Sequence, residues 1–143
     1  AGLREIAFGI LQGQPSEGQT AMKLKADVMG SWLEGDLSKA YPEGESGEQV
    51  VNRGLQSLVA AASMGTTVIV VAHGGLIKMC ALQIECSAEK GRTMTSPSVT
   101  KVLSSPVVNC CCSTVIYDHD SGRFHALAWF ENLSDAAAKD DSG

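Results

Sequence analysis

The residues of this chain best suited to chemistry begin at His73. An uncharged, β-prone run from Val68 to Ala72 stops at His73-Gly74-Gly75, after which Leu76, Ile77, Met79, Cys80 and Leu82 recur at helical rather than alternating intervals. The pattern predicts a buried strand, a tight turn and a helix start, with one imidazole at the strand's carboxyl end. In open α/β sheets, ligands bind in the crevice outside the carboxyl ends of the strands, and two glycines there let backbone N–H groups approach an anion at the helix N-terminus. A histidine in such a place is either a reactive group or a polar cap on a neighbouring carbonyl, and this window by itself supports both readings.

Other residue types narrow the chemistry. Five cysteines, three of them adjacent at 110 to 112, do not form the even framework of a secreted disulfide protein, so a reduced, cytoplasmic setting is expected. There is no C-x-x-C pair, and His119 and His125 lie at no ligand spacing; neither a metal nor another cofactor is expected. A formal net charge of −5 gives no electrostatic reason for nucleic acid or acidic membrane as a partner. The most apolar window, residues 66 to 84, is interrupted by His73, Lys78 and the glycine pair, which suits a strand-turn-helix better than a membrane span. With 143 residues, 44% apolar and 19% charged, the composition is that of one globular domain, expected over residues 1–135 with a frayed tail at 136–143.

The elements that must hold His73 in place are legible to different degrees. Residues 2–7 read as a short strand ending in a glycine turn, and a chain that opens inside an element is expected to have lost what precedes it. Thr20 to Leu33 reads as a helix with a ragged apolar face of Met22, Leu24, Val28, Trp32 and Leu33. Ser46-Gly47-Glu48-Gln49 fits a capping box, followed by Val51, Leu55, Leu58, Val59 and Ala62 at three- and four-residue steps, so an amphipathic helix is expected to end near Gly65. Residues 88–107 read as a long loop. Residues 108–118 and 123–130 read as an antiparallel hairpin around Asp118-His119-Asp120-Ser121-Gly122. Helix, strand and helix in succession predict a layered α/β sheet.

Several separated stretches, taken together and in order, resemble the histidine phosphatase superfamily, in its phosphoglycerate mutase-like branch. L-R-E-I-A-F-G at 3 to 9 is similar to the family's leucine-x-glutamate-x-x-x-glycine segment. P-E-G-E-S-G-E-Q-V-V-N-R at 42 to 53 is similar to its proline-x-glycine-glutamate-serine helix start, and V-I-V-V-A-H-G-G at 68 to 75 to its second-histidine motif. V-V-N-C-C-C-S-T-V-I-Y at 107 to 117 and W-F-E-N-L-S-D at 129 to 135 resemble the strand and closing segment that follow.

The resemblance implies a three-layer α/β/α sheet, here incomplete at the N-terminus, and phosphoryl transfer through a phosphohistidine on a small phosphorylated substrate. The family's acceptor histidine lies in an Arg-His-Gly motif, and that motif does not occur here: the histidines are His73, His119 and His125, and none follows an arginine. The expected activity is therefore that of an intact polypeptide whose phosphohistidine lies in a missing N-terminal segment, with hydrolysis of a phosphate monoester favoured over mutase-type transfer. The alternative is a noncatalytic phosphate-binding or interaction protein that keeps the scaffold without the nucleophile. Glu5 matches the family's general acid, which must hold a proton for the leaving alcohol. His73 matches the pocket histidine that donates to the phosphoryl oxygens, and Gly74 is expected to lend a backbone N–H. Glu45 and Arg53 match family positions as structural residues, and Gln12-Gly13 replaces a Glu-Gly pair, so part of the substrate wall differs.

The missing strands of such a sheet would flank residues 67–72. Pairing of that segment by a separate N-terminal fragment, by a strand from another copy or by a rearranged sheet is accordingly expected.

Overall fold

A computed structural model describes residues 2–15, 18–88 and 96–132. Among these the fold is α/β, as expected: four α-helices, α1 (Gln19–Leu33), α2 (Gly47–Ala62), α3 (Gly74–Ala88) and α4 (Pro97–Ser104), and one antiparallel sheet of β1 (Cys111–Asp118) and β2 (Arg123–Asn132). A single 3-10 turn, Gly9–Leu11, precedes them. Contacts group the chain into two compact units, Ala1–Met79 and Cys80–Gly143, with the boundary inside α3. The tail expected at 136–143 lies outside the described residues. No helix among the described residues is long and apolar enough to cross a membrane.

In the first unit the helices form where local chemistry favours them. Ser46 begins α2 with both halves of the capping box: its Oγ accepts the Gln49 N–H at 3.3 Å, and Gln49 Oε1 accepts the Ser46 N–H at 2.9 Å. Two free donors at the helix start are thereby satisfied. Val50, Val51 and Gly54 are the most deeply buried positions beyond this turn, while Leu55, Leu58 and Val59 are half-buried. Helix α1 buries Ala21, Val28 and Trp32 and leaves Met22 exposed. Met22 is one residue, about 100° of helix rotation, off the seam that Ala21, Val28 and Trp32 define. Trp32 Nε1 donates to Lys39 O at 2.7 Å, and the Tyr41 ring meets Trp32 and Phe8 edge-on at centroid distances of 5.5 and 5.2 Å.

Two expected strands do not form. Residues 2–7 and 67–72 are neither helix nor strand, and neither segment joins a ladder among the described residues. A strand is defined by its neighbour, and the neighbours of 2–7 are of another kind: side chains of Glu45 and Arg53 and the loop at 42–45 occupy its peptide groups. Residues 67–72 acquire no such substitute, so the expected rearranged sheet is absent from the described residues.

In the second unit β1 and β2 pair from Asp118↔Arg123 to Cys111↔Asn132. The expected turn closes them. Asp118 Oδ1 accepts the Asp120 N–H at 3.0 Å, Asp118 O accepts the Gly122 N–H at 2.8 Å, and Gly122 takes a φ of +67°. The register shifts twice, at Leu127 and at Trp129-Phe130, each time because β2 carries one residue more than β1. At the second bulge Ser113 Oγ accepts the Phe130 N–H at 3.1 Å, replacing the lost ladder bond. Trp129 Nε1 donates to the buried Glu85 carboxylate at 2.8 Å.

Helix α4 corrects the expectation of a loop throughout 88–107; residues 89–95 lie outside the described residues. Pro97 stands at its first turn after Ser96, a position where a missing N–H costs nothing, and Val99 and Val102 are fully buried one turn apart. Val99, Val102 and Leu103 span little more than one turn, too short a run to set a period that reads as a helix.

Candidate functional site

The N-terminal segment is held by one carboxylate and one guanidinium. Glu45 follows the Pro42-Glu43-Gly44 turn. Its Oε2 accepts the Ala7 N–H at 2.8 Å, while its own N–H donates to Ala7 O at 2.9 Å, fixing residue 7 from both sides. Ile10 N–H donates to Pro42 O at 3.1 Å. This approach is close enough that Gly9, at φ +58°, admits no side chain: a Cβ there would collide with Pro42 O.

Arg53, two turns into α2, completes the arrangement. Its Nε donates to Glu45 Oε1 at 2.7 Å and its Nη2 to Glu45 Oε2 at 2.9 Å. Its remaining donors reach Gly2 O at 2.7 Å, Arg4 O at 2.8 Å and Glu5 O at 3.1 Å. The planar fork thus binds a carboxylate on one side and three backbone carbonyls on the other, which a lysine cannot do. Arg4 Nη2 adds a second cation at 2.6 Å from Glu45 Oε1, from a side chain that is 54% exposed. Burial alone would raise the Glu45 carboxyl above its usual range. The hydrogen bonds from Arg53 and the Ala7 N–H, together with the charges of Arg53 and Arg4, outweigh it and hold the group low.

This scaffold decides where Glu5 goes. The Glu5 carboxylate, half-buried, accepts the Ile6 N–H through Oε1 at 2.9 Å. The same oxygen lies 3.0 Å from where a Cβ at Gly75 would stand, with Ile6 Cδ1 at the same distance. Glu5 therefore rests against the first turn of α3. His73 is the residue before that turn, and its carbonyl accepts the Ile77 N–H at 2.9 Å while the residue as a whole is exposed. Gly74 is the first helical residue and partly covered. Glu5, His73 and Gly74, expected from sequence to act together, are thus brought to one helix N-terminus, although the strand expected to lead into it is absent.

Sequence reasoning missed two features here. Gly75 is a glycine whose bare Cα leaves room for the Glu5 carboxylate; the G-G pair was the available signal. Arg4 is the second cation on Glu45, and nothing in its local sequence distinguishes it from a surface arginine. An open depression beside the Glu45–Arg53 pair is lined by Arg4, Glu43, Gln49, Asn52 and Gln56, and neither Glu5 nor His73 borders it. No group of three or more metal-ligating side chains occurs among the described residues.

A family model describing the histidine phosphatase superfamily (branch 1) matches residues 1–130. The chain belongs to that superfamily. Membership covers the Glu5 segment, the capping-box helix, the His-Gly-Gly turn and nearly all of the hairpin, and it supports phosphoryl transfer as the general class of chemistry. No curated protein and no solved structure matches the chain.

Proposed function

We propose that this superfamily member is part of a phosphomonoesterase in which Glu5 is the proton donor and His73 a donor to the phosphoryl oxygens. The observation that carries the reading is the position of the Glu5 carboxylate against the α3 turn that His73 and Gly74 open. A helix N-terminus with free N–H groups favours a phosphoryl group, and Gly74 offers one of those donors without a side chain in the way.

In this proposal an acceptor imidazole attacks phosphorus as the ester P–O bond breaks, and Glu5 gives its proton to the departing alkoxide. His73 stabilises the charge gathering on the equatorial oxygens. Water then breaks the N–P bond, its proton returns to Glu5, and inorganic phosphate leaves. The acceptor is supplied by polypeptide outside these 143 residues, since none of His73, His119 and His125 follows an arginine. Hydrolysis is favoured over mutase transfer because the leucine-x-glutamate segment lacks the Asn-Glu-Arg wording of the glycolytic mutases.

The absent Arg-His-Gly motif also favours a second reading, a scaffold that binds a phosphorylated ligand without forming a phosphoenzyme. The intact mass of the natural protein, with its N-terminal sequence, separates the two. For the enzyme, that polypeptide is expected to turn over p-nitrophenyl phosphate faster than it isomerises 3-phosphoglycerate. Glu5→Gln and His73→Ala are each expected to lower kcat by about a hundredfold or more. No turnover of any phosphate ester, or activity untouched by both substitutions, would sink the catalytic assignment.

A further inference from the structure

Three thiols stand in succession where β1 begins. Cys110 is exposed and lies one residue before the strand, while Cys111 and Cys112, half-buried, are its first two residues. Cys110 also takes a φ of +63°, in the left-handed region that a residue with a Cβ seldom enters. It is the third residue of a turn closed by the Cys111 N–H, which donates to Val108 O at 3.3 Å. A positive φ at that position ordinarily calls for glycine or asparagine, so the turn gains nothing from a cysteine there. Such outliers collect at functional sites, and an exposed thiol beside two others is the setting of reversible oxidation.

We propose that Cys110 is an oxidation site whose resolving partner is Cys112. Adjacent strand residues point to opposite faces, and the ladder pairs Cys111 with Asn132 and Cys112 with Glu131, so a bond between Cys111 and Cys112 would break the start of the sheet. Cys110 and Cys112 are separated by the extended Cys111, and two strand rises set their Cα atoms about 6.6 Å apart, just within the roughly 4.4–6.8 Å that a disulfide spans. Cys110 has no partner in the ladder. Its backbone can therefore pass from left-handed to extended at the loss of the Val108 bond but of no ladder bond, and the extended form brings its side chain to the face of Cys112. The oxidant is hydrogen peroxide. The Cys110 sulfur takes one oxygen as the O–O bond breaks, giving a sulfenic acid and one water. The Cys112 sulfur then attacks the Cys110 sulfur, the S–O bond breaks, and hydroxide leaves with the Cys112 proton as a second water. Two thiols lose two electrons and one peroxide gains them. A dithiol reverses the change, as suits a bond that forms transiently in a reduced setting. No part of this step uses Glu5 or His73.

The test treats the intact natural polypeptide with a slight excess of hydrogen peroxide, alkylates the remaining thiols and digests with trypsin for mass spectrometry. Residues 102–123 form one tryptic peptide that holds Cys110, Cys111 and Cys112, and Cys80 and Cys86 fall in another. Most of the 102–123 peptide is expected to lose two hydrogens and to carry a single alkyl group, at Cys111. Dithiothreitol added after the peroxide should restore three alkyl groups. Cys111→Ser should leave the disulfide in place, whereas Cys110→Ser and Cys112→Ser should abolish it. Cys110→Gly should abolish it too, with a melting temperature equal to or above that of the parent, because glycine accepts the positive φ. That result separates the thiol from the turn. Three alkyl groups after peroxide would overturn the proposal. So would a disulfide that survives Cys110→Ser, one that joins this peptide to another, or oxidation that runs on to sulfinic acid without a disulfide.

Discussion

Arg53 and Glu45 meet as fork and carboxylate, with Nε 2.7 Å from Oε1 and Nη2 2.9 Å from Oε2. Their side chains are only 14% and 10% exposed, so water reaches either charge poorly as an alternative partner. Removing Arg53 leaves the Glu45 carboxylate with only the Ala7 N–H and the half-exposed Arg4, and takes the shared donor from the carbonyls of residues 2, 4 and 5. Arg53→Leu is therefore expected to cost about 3–5 kcal/mol, a large part of the roughly 5–15 kcal/mol typical of a folded domain. Arg53→Lys keeps the charge and loses the second Glu45 bond and most of the carbonyl contacts, so its loss should be smaller but clear. Urea denaturation midpoints of the three proteins measure both, and a midpoint for Arg53→Leu equal to that of the parent would contradict the role given to the pair.

Acid should act through the same carboxylate. Glu45 has its carboxyl lowered in the folded state below its ordinary value of about 4.5, so the unfolded chain binds the proton more readily than the folded one. Its contribution is complete above that ordinary value and is lost as pH falls through the lowered one. Asp36 and Asp118 are lowered in the same direction by hydrogen bonds from Ser38 and Ser121, so the parent's acid sensitivity is a sum. The difference between parent and Glu45→Gln isolates the glutamate: the gap in stability should be widest near neutral pH and narrow below about pH 4.5. A gap that stays constant through that range would show that Glu45 is not the group being titrated.

Tyr41 carries the opposite expectation. Its ring is buried between Phe8 and Trp32, while its hydroxyl has no hydrogen-bond partner among the described residues and burial raises its ionisation above the ordinary range. Removing an unsatisfied buried hydroxyl while keeping the ring should be neutral or stabilising by up to about 1 kcal/mol. Thermal unfolding of Tyr41→Phe measures this, and a loss of several degrees would mean that the hydroxyl has a partner after all.

How much of this was readable in the sequence depends on how local the cause is. The capping box at Ser46 and Gln49 and the turn at Asp118 to Gly122 involve residues within four positions of one another, so both appear where expected. Glu5, His73 and Gly74 were legible as candidates only through the family resemblance; the structure places Glu5 beside Gly75 and has His73 and Gly74 open α3. The strands at 2–7 and 67–72 were not determined by their own residues. The first spends its peptide groups on Glu45 and Arg53, 38 or more positions away, and the second has no partner in the described chain. Helix α4 escaped notice because Val99 and Val102 mark a single turn, although Ser96-Pro97 carried the start signal.

The Arg53 contacts to the first residues end on the peptide oxygens of positions 2, 4 and 5, and none ends on a side chain there. The path of the segment is thus set mainly by Arg53 and Glu45 acting on peptide groups, while the side chain at position 5 adds to it a single bond, from the Ile6 N–H. Chemistry at that point is in effect modular. An amide, a shorter acid or a neutral isostere placed at position 5 inherits the same anchor, so differences in function between such variants can be ascribed to the side chain itself, and divergence at this position has an open route that does not pass through loss of the fold.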